Sequence, residues 1–340
     1  MRIIKEVRLR NFRCYDEFRL DCDKDKTLIV GENGCGKTSV LEAIYLALCG
    51  KSFKGNDKEI VKRGRDFYRV DILMNDEKKV IVKYDGVKRC FEIDGKKYLR
   101  LPKKNRYPIV LFEPDNLHLL GTSPLKRRDY FDVLIKQIDE KYRVMINKYT
   151  KALQQRNDLL KKDGIKQEEL FSWDVMCANY GCEIAKKRKK TVDYLNEYMT
   201  DYYRNIAHND DECWIEYIGI DSNKDENWYM NELMRCFEKD KILGYTGFGI
   251  HRDDYEFKFN NKKADGSASR GEIRSMILAL KFIEAMILEK ELRKKPLVLL
   301  DDIFSELDEA RQKHLVKNFE EYQVIITSTS APESIIFDRK

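Results

Sequence analysis

Residues 27–48 read TLIVGENGCGKTSVLEAIYLAL: a short apolar run, a glycine-rich turn, then an apolar run at helical spacing. Gly31, Gly36, Lys37 and Thr38 fall in register with the pattern G-x-x-x-x-G-K-[ST]. The strand before and the helix after are the context in which that pattern is a phosphate cradle. Glycine lets backbone N–H groups turn inward around phosphate oxygens, and the following helix presents its positive end to the same anion. The cradle is expected to comprise Gly31, Glu32, Asn33, Gly34, Cys35, Gly36, Lys37, Thr38 and Ser39. Lys37 is the candidate for reaching the β- and γ-phosphates during catalysis, and Thr38 the candidate magnesium ligand, so ATP and Mg²⁺ are the implied cofactors.

Such a loop needs a second magnesium ligand on a neighbouring strand. LVLLDD, 297–302, supplies four apolar residues suited to a buried parallel strand, ending in two carboxylates. Asp301 is assigned to the metal. Asp302 either orients or deprotonates the attacking water or caps a turn. A third element, ASRGEIRSMILAL, opens a strongly apolar helix at Ser269 and Gly271. Either it is an ordinary N-cap, or it offers a second anion site. Two helix termini crowd one γ-phosphate, so the second would serve ATP in another copy of the chain.

Outward from these motifs, the first third reads mainly as strands: IIKEVRLRNF, KTLIV, YRVDILM, KKVIVKY and KRCFEIDG, separated by turn-forming NDEK, YDGV and DGKK. One helix interrupts them, from Thr38 to about Leu48, stopped by Gly50. From Pro124 to about Lys161 apolar residues recur at helical spacing, and a second such pattern runs from Trp173 to Tyr203, with the loop DGIKQEE between. These are expected to form two long antiparallel helices. NWYMNELMRCFEKD adds a third helical stretch. Strand character returns at DDYEFKFN, followed by a glycine-containing loop, a helix from Ile273 to about Arg293, PLVLLDD, a helix in DEARQKHLVKNFEEY and a last strand, QVIITS. The expected organisation is an α/β head split in sequence, 1–112 and 241–340, with a mainly helical lobe inserted at 113–240.

The chain has 340 residues and a net charge of +6, unevenly placed. Residues 1–112 hold 27 Lys and Arg against 17 Asp and Glu, whereas 113–240 hold 21 against 25. A positive first third suits a polyanion. Its densest cations, Lys51, Lys54, Lys58, Lys62, Arg63 and Arg65, are the candidate contacts to duplex DNA phosphates, supplemented by Lys103, Lys104 and Arg106. The run KKRKK, 186–190, sits on a periodic helix and reads rather as a solvated face. Nine scattered Cys and four dispersed His give no zinc spacing. Neither a signal peptide nor a membrane span is recognisable, and a cytoplasmic protein is expected.

Taken together, Gly31–Thr38, LVLLDD, SRGE (269–272) as a signature loop and SELD (305–308) as a D-loop resemble the heads of ABC-type ATPases, with Thr327 and Ser328 at the switch position. NFRCY, GENGCGKTSVLEAIY, FEPDNLHLLGTSPLKRRDYFD, YTKALQQRNDLL, GFGIHRDD, SASRGE and LLDDIFSELDEARQ then occur in one order that is similar to the bacterial RecF family, over essentially the whole chain. The fold implied is an ABC-type, SMC-like head with a phosphate loop on a mixed sheet. The resemblance further implies a DNA-binding ATPase of recombinational repair, replication restart and the SOS response. It implies an ATP-dependent homodimer on double-stranded DNA near gaps or single-strand/double-strand junctions, helping RecO and RecR load recombinase, with slow hydrolysis. Alternatives are a clamp that binds ATP without cleaving it and a nuclease-associated head of the overcoming-lysogenisation-defect type. The latter needs a further acidic domain for which the sequence leaves no room. Arg13 in NFRCY either approaches the nucleotide or is an exposed basic turn residue. This chain departs from the family pattern at Glu272, usually Gln, and at Ile250, usually Pro.

Overall fold

The structure, a computed structural model, describes residues 2–22 and 24–330. It divides into two compact units, a head made of Met1–Leu117 with Glu284–Lys340 and a lobe, His118–Ile283.

Two sheets build the head. In the first, Tyr15–Asp21, Ile4–Phe12, Tyr68–Met74, Lys79–Tyr84, Arg89–Ile93 and Lys96–Tyr98 lie side by side in that order, every pair antiparallel. Alternation does the sorting. Along Tyr68–Met74 every second residue is buried, as in a sheet with one face on the core. In the second sheet the order is Lys26–Val30, Val324–Ser328, Leu297–Asp301, Ile109–Phe112, every pair parallel. Its two central strands are buried at every residue, which is why they read as uninterrupted apolar runs. The helix Lys37–Cys49 buries Val40, Leu41, Ile44 and Leu48 in one core with Val7, Val70 and Val82 of the first sheet and Leu297, Leu299 and Ile325 of the second. Gly50, left-handed at φ 81°, ends it and returns its N–H to the Leu46 carbonyl.

The lobe combines helices with a three-stranded antiparallel sheet, ordered Lys262–Lys263, Asp254–Phe259, Cys213–Ile218. That pairing corrects the expected divide. Asp254–Phe259 belongs with Cys213–Ile218, so the chain returns to the head at 284, within the helix Arg270–Leu292, and not at 241. The first crossing lies at 118 and not at 113.

Three further expectations change. The helix expected over 124–161 is two, Pro124–Ile138 and Glu140–Leu160. Asp139 turns out to extended geometry between them, and its carboxylate accepts from the Tyr142 N–H to cap the second. Apolar spacing continues unbroken across the cap, which hides the break. The stretch 227–240 likewise divides into Glu226–Arg235 and Phe237–Leu243. Tyr15–Asp21 is a strand that its charges concealed, since six of its seven residues pair with Ile4–Phe12 while most of its side chains face water.

Buried ion clusters hold the lobe. Arg156, fully buried, donates to Asp174 at 2.6 Å and to Asp240 and Thr246 at 2.7 and 2.8 Å. Arg188, the middle of the KKRKK run, is also buried and reaches Asp132 and, at 2.7 Å, Asp253. Its neighbours Lys186, Lys187 and Lys189 pair with Glu183, Asp139 and Asp193. That run is thus a helix anchored at its centre and compensated along its surface.

Candidate functional site

Strand order decides the site. In the parallel sheet Ile29 lies opposite Thr327, and Thr327 opposite Asp301, so the phosphate loop leaves its strand beside the carboxyl ends of two others. Ligands of open α/β sheets bind at such ends. Gly31 N donates to the Ser328 carbonyl at 3.2 Å, tying the loop's start to the neighbouring strand. Gly36 caps the following helix at φ 107°, and a Cβ there would stand 2.3 Å from Cys14 Sγ and 3.0 Å from the Tyr15 ring. Only glycine fits. The helix has no acidic residue in its first turn, so its positive end is left for an anion.

Lys37 Nζ donates to the carbonyls of Gly31 and Glu32 at 2.5 and 2.9 Å, which places the ammonium across the loop's mouth. Thr38 Oγ1 donates to Asp301 Oδ1 at 2.7 Å, and Thr327 Oγ1 donates to the same oxygen at 2.9 Å. Hydrogen bonds to a carboxylate contribute roughly 1.5–3 kcal/mol each, and together they fix the Asp301 side chain. Asp302 takes left-handed geometry at φ 51° and donates its N–H to Thr327 Oγ1 at 3.0 Å. Its Oδ1 is buried and has no hydrogen-bond partner among the described residues. Non-glycine residues held at positive φ cluster at functional sites, and an orphaned buried acceptor needs water or ligand. Hydroxyl and carboxylate oxygens are the hard donors magnesium takes. The residues therefore fit a magnesium-bound triphosphate, with Thr38 and Asp301 toward the metal.

Other expected residues find different partners. Arg13 is not an exposed basic turn residue, one of its two readings. It donates to Glu42 at 2.7 and 2.8 Å and to the Glu59 carbonyl at 2.8 Å, and the bonds to the Glu42 carboxylate hold its guanidinium above its ordinary pKa. Lys54 stands with Nζ 3.9 Å from Asp301 Oδ2, a direction its place in a basic run did not suggest. Lys62 and Arg65 both pair with Asp16. Lys51, Lys58, Arg63 and Arg65 are exposed, and Lys58 and Arg63 have no ion-pair partner among the described residues. Asp308 caps the helix Glu309–Asn318 through the Arg311 N–H at 3.0 Å. Tyr15, against the loop, is pushed up to about 12 by burial and by the neighbouring thiols Cys14 and Cys35.

Ser269 and Gly271 lie in the lobe. Ser269 N donates to Glu272 Oε2 at 2.5 Å, and Glu272 N donates back to Ser269 Oγ at 3.3 Å. This is a reciprocal capping box, for which Glu and Gln serve equally. The Glu272 carboxylate is thereby committed to its own helix terminus.

Residues 1–242 match the family model described as AAA ATPase domain. Over 352 residues the sequence is 32% identical to the DNA replication and repair protein RecF of Agathobacter rectalis, covering 98% of this chain and 94% of that one. The corresponding protein of Clostridium acetobutylicum is 32% identical over 337 residues, with 96% and 92% covered. The chain belongs to the RecF family. A solved structure of the recombination mediator protein RecF with ATP, in the RecFOR pathway, superposes with a TM-score of 0.87 at 30% identity, covering 97% of this chain and 93% of that one. A second, with an ATP analogue, reaches 0.89 at 30% identity, with 99% and 95% covered. An Smc head domain from Pyrococcus furiosus matches at 0.53 and 19% identity, which shows the shared head fold. This member of the family is thus an ATP-binding protein of DNA replication and repair with the ABC-type, SMC-like head expected from its motifs. Among the described residues no helix is long and apolar enough to cross a membrane.

Proposed function

We propose that this chain is an ATP-controlled DNA-binding protein of recombinational repair, in which magnesium-bound ATP on the head draws two copies together on duplex DNA near gaps. Each copy presents Ser269 and Gly271 to the nucleotide of the other. The closed pair helps RecO and RecR load recombinase, and slow hydrolysis resets it. The observation carrying this reading is the meeting of Thr38, Thr327 and Asp301 beneath the unpartnered carboxylate oxygen of Asp302.

In this mechanism Lys37 leaves the Gly31 and Glu32 carbonyls for phosphate oxygens, and a bound magnesium ion would supply further positive charge toward the transferred phosphoryl group. Thr38 and Asp301 would hold that ion. Asp302 accepts a hydrogen bond from the attacking water and orients it in line. Its left-handed backbone, pinned by Thr327, sets the carboxylate's aim. Duplex contacts are electrostatic and sequence-independent. Lys58 and Arg63 lead them, with Lys51 and Arg65 beside them.

Asp302→Asn tests the assignment. The variant is expected to retain ATP affinity within about threefold while losing phosphate release by roughly two orders of magnitude, the usual weight of general-base catalysis. It is also expected to accumulate the ATP-bound dimer, read as molecular mass by light scattering with and without duplex DNA. An Asp302→Asn protein that stays monomeric with ATP and DNA overturns the dimer mechanism. A wild type that binds ATP and releases no phosphate even with DNA returns the non-hydrolysing clamp.

A further inference from the structure

The loop after the phosphate-loop helix is built more carefully than a surface turn requires. Glu42, on that helix, is 1% exposed and is met from two sides. Arg13 donates to both its oxygens, and Ser52 Oγ donates to Oε1 at 2.5 Å. Ser52 Oγ in turn accepts the N–H groups of Lys54 and Gly55 at 2.9 and 3.0 Å. Gly55 lies close against this node, since a Cβ there would fall 2.4 Å from Glu59 Oε2 and 3.0 Å from Arg13 Nη2 and make both side chains shift. The next residue, Asn56, closes a capping box with Glu59. Every bond in this node fixes the backbone at Lys54 relative to the helix that carries Thr38.

What that backbone presents is a cation aimed at the metal carboxylate. The Asp301 side chain is 7% exposed, its Oδ1 already accepts two hydroxyl donors, and Lys54 Nζ stands 3.9 Å from its Oδ2. A nearly buried carboxylate without a countercharge is costly, so a positive group is needed there whenever magnesium is absent.

We propose that Lys54 is a positioning residue, a tethered cation that neutralises Asp301 before the nucleotide arrives and that magnesium must displace. The inference rests on the ATP and magnesium reading above and deepens it. Lys54 and Mg²⁺ compete for one carboxylate oxygen, so Lys54 sets the magnesium concentration at which the head closes on its nucleotide. Its role is not that of a DNA phosphate contact.

The test is a titration of Mg²⁺ into protein holding a fluorescent ATP analogue, at constant ionic strength, with wild type, Lys54→Met and Lys54→Arg. For Lys54→Met the midpoint is expected to fall about threefold to fivefold, the weight of a partly solvated ion pair. Lys54→Arg should stay within twofold of wild type. Analogue affinity in excess EDTA should be unchanged in all three, because the ammonium faces Asp301 and not phosphate. A midpoint unmoved in Lys54→Met overturns the proposal. So does a tenfold loss of affinity in EDTA, which would make Lys54 a phosphate ligand, or loss of duplex binding in nucleotide-free protein, which would return it to the DNA face. A wild type that binds no analogue at all defeats the ATP reading instead.

Discussion

Thr327→Val is the sharpest probe of the site, because it removes one oxygen and keeps the shape. Thr327 is fully buried at the end of its strand and its β-branched frame suits Val. The substitution deletes the hydroxyl that donates to Asp301 Oδ1 at 2.9 Å and accepts from Asp302 N at 3.0 Å. Neither partner is abandoned. Asp301 Oδ1 keeps Thr38 at 2.7 Å, and Asp302 N keeps the Thr327 carbonyl at 3.1 Å. The cost therefore lies near the lower end for a bond to a charged group, about 2 kcal/mol, or a melting temperature about 4 °C lower. Thr327→Ser keeps the hydroxyl and loses one buried methyl, about 1 kcal/mol. The two variants part over magnesium. Losing a group that orients a metal ligand typically costs at least about tenfold in metal affinity, so the Mg²⁺ midpoint for nucleotide binding rises about tenfold in Thr327→Val and stays near wild type in Thr327→Ser. Calorimetry and the fluorescence titration measure both quantities. Thr327→Val with a midpoint within twofold of wild type and a melting temperature within about 1 °C would refute the reasoning.

Three further outcomes follow from other parts of the molecule. Lys58→Ala with Arg63→Ala should weaken duplex binding without altering ATP affinity, and should reduce the slope of log affinity against log salt by about 2, one for each lost phosphate contact; an unchanged slope places DNA elsewhere. His251 is held by Tyr149 Oη at 2.8 Å and the Thr246 carbonyl at 2.9 Å, and burial lowers its pKa to about 4. Its folded pKa lies below its unfolded value, so stability is present above pH ~6.5 and lost as pH falls toward 4, by at most about 3 kcal/mol. Asp253, pushed up to about 6 by burial, opposes this in the same window, so the check is the difference in slope between wild type and His251→Asn in urea unfolding at pH 4.5 and 7. Wild type should lose more stability on acidification than His251→Asn, and equal slopes would dismiss the assignment. Glu272→Gln preserves the capping box and should leave stability within about 0.3 kcal/mol of wild type, whereas Glu272→Ala costs about 1 kcal/mol in thermal unfolding. Equal stability of the two variants would show the box contributes nothing.

Much of this protein is local and therefore legible. The cradle 31–39 announces itself because glycine spacing, a terminal lysine and a helix start are near-neighbour requirements. LVLLDD declares a buried parallel strand by four successive apolar residues before its two carboxylates, and the alternating runs 68–74 and 79–84 declare strands with one wet face. Even the head interrupted by a lobe follows from the change of periodicity near 124.

Tertiary structure alone decided which charges are partners. Arg13, Glu42, Ser52 and Lys54 are scattered along 42 positions and meet only because the helix Lys37–Cys49 packs beside the turn after Phe12. In sequence Lys54 is one cation of a basic run, and folding turns it toward a carboxylate 247 positions away. Asp139 broke a helix that its apolar neighbours continued, and strand pairing moved the lobe's boundary beyond Asp254–Phe259. The physical reason is the same in each case. Hydrophobic periodicity is written along the chain, whereas a charge has no preferred period and takes its meaning from whatever the packed core brings within a few ångströms of it.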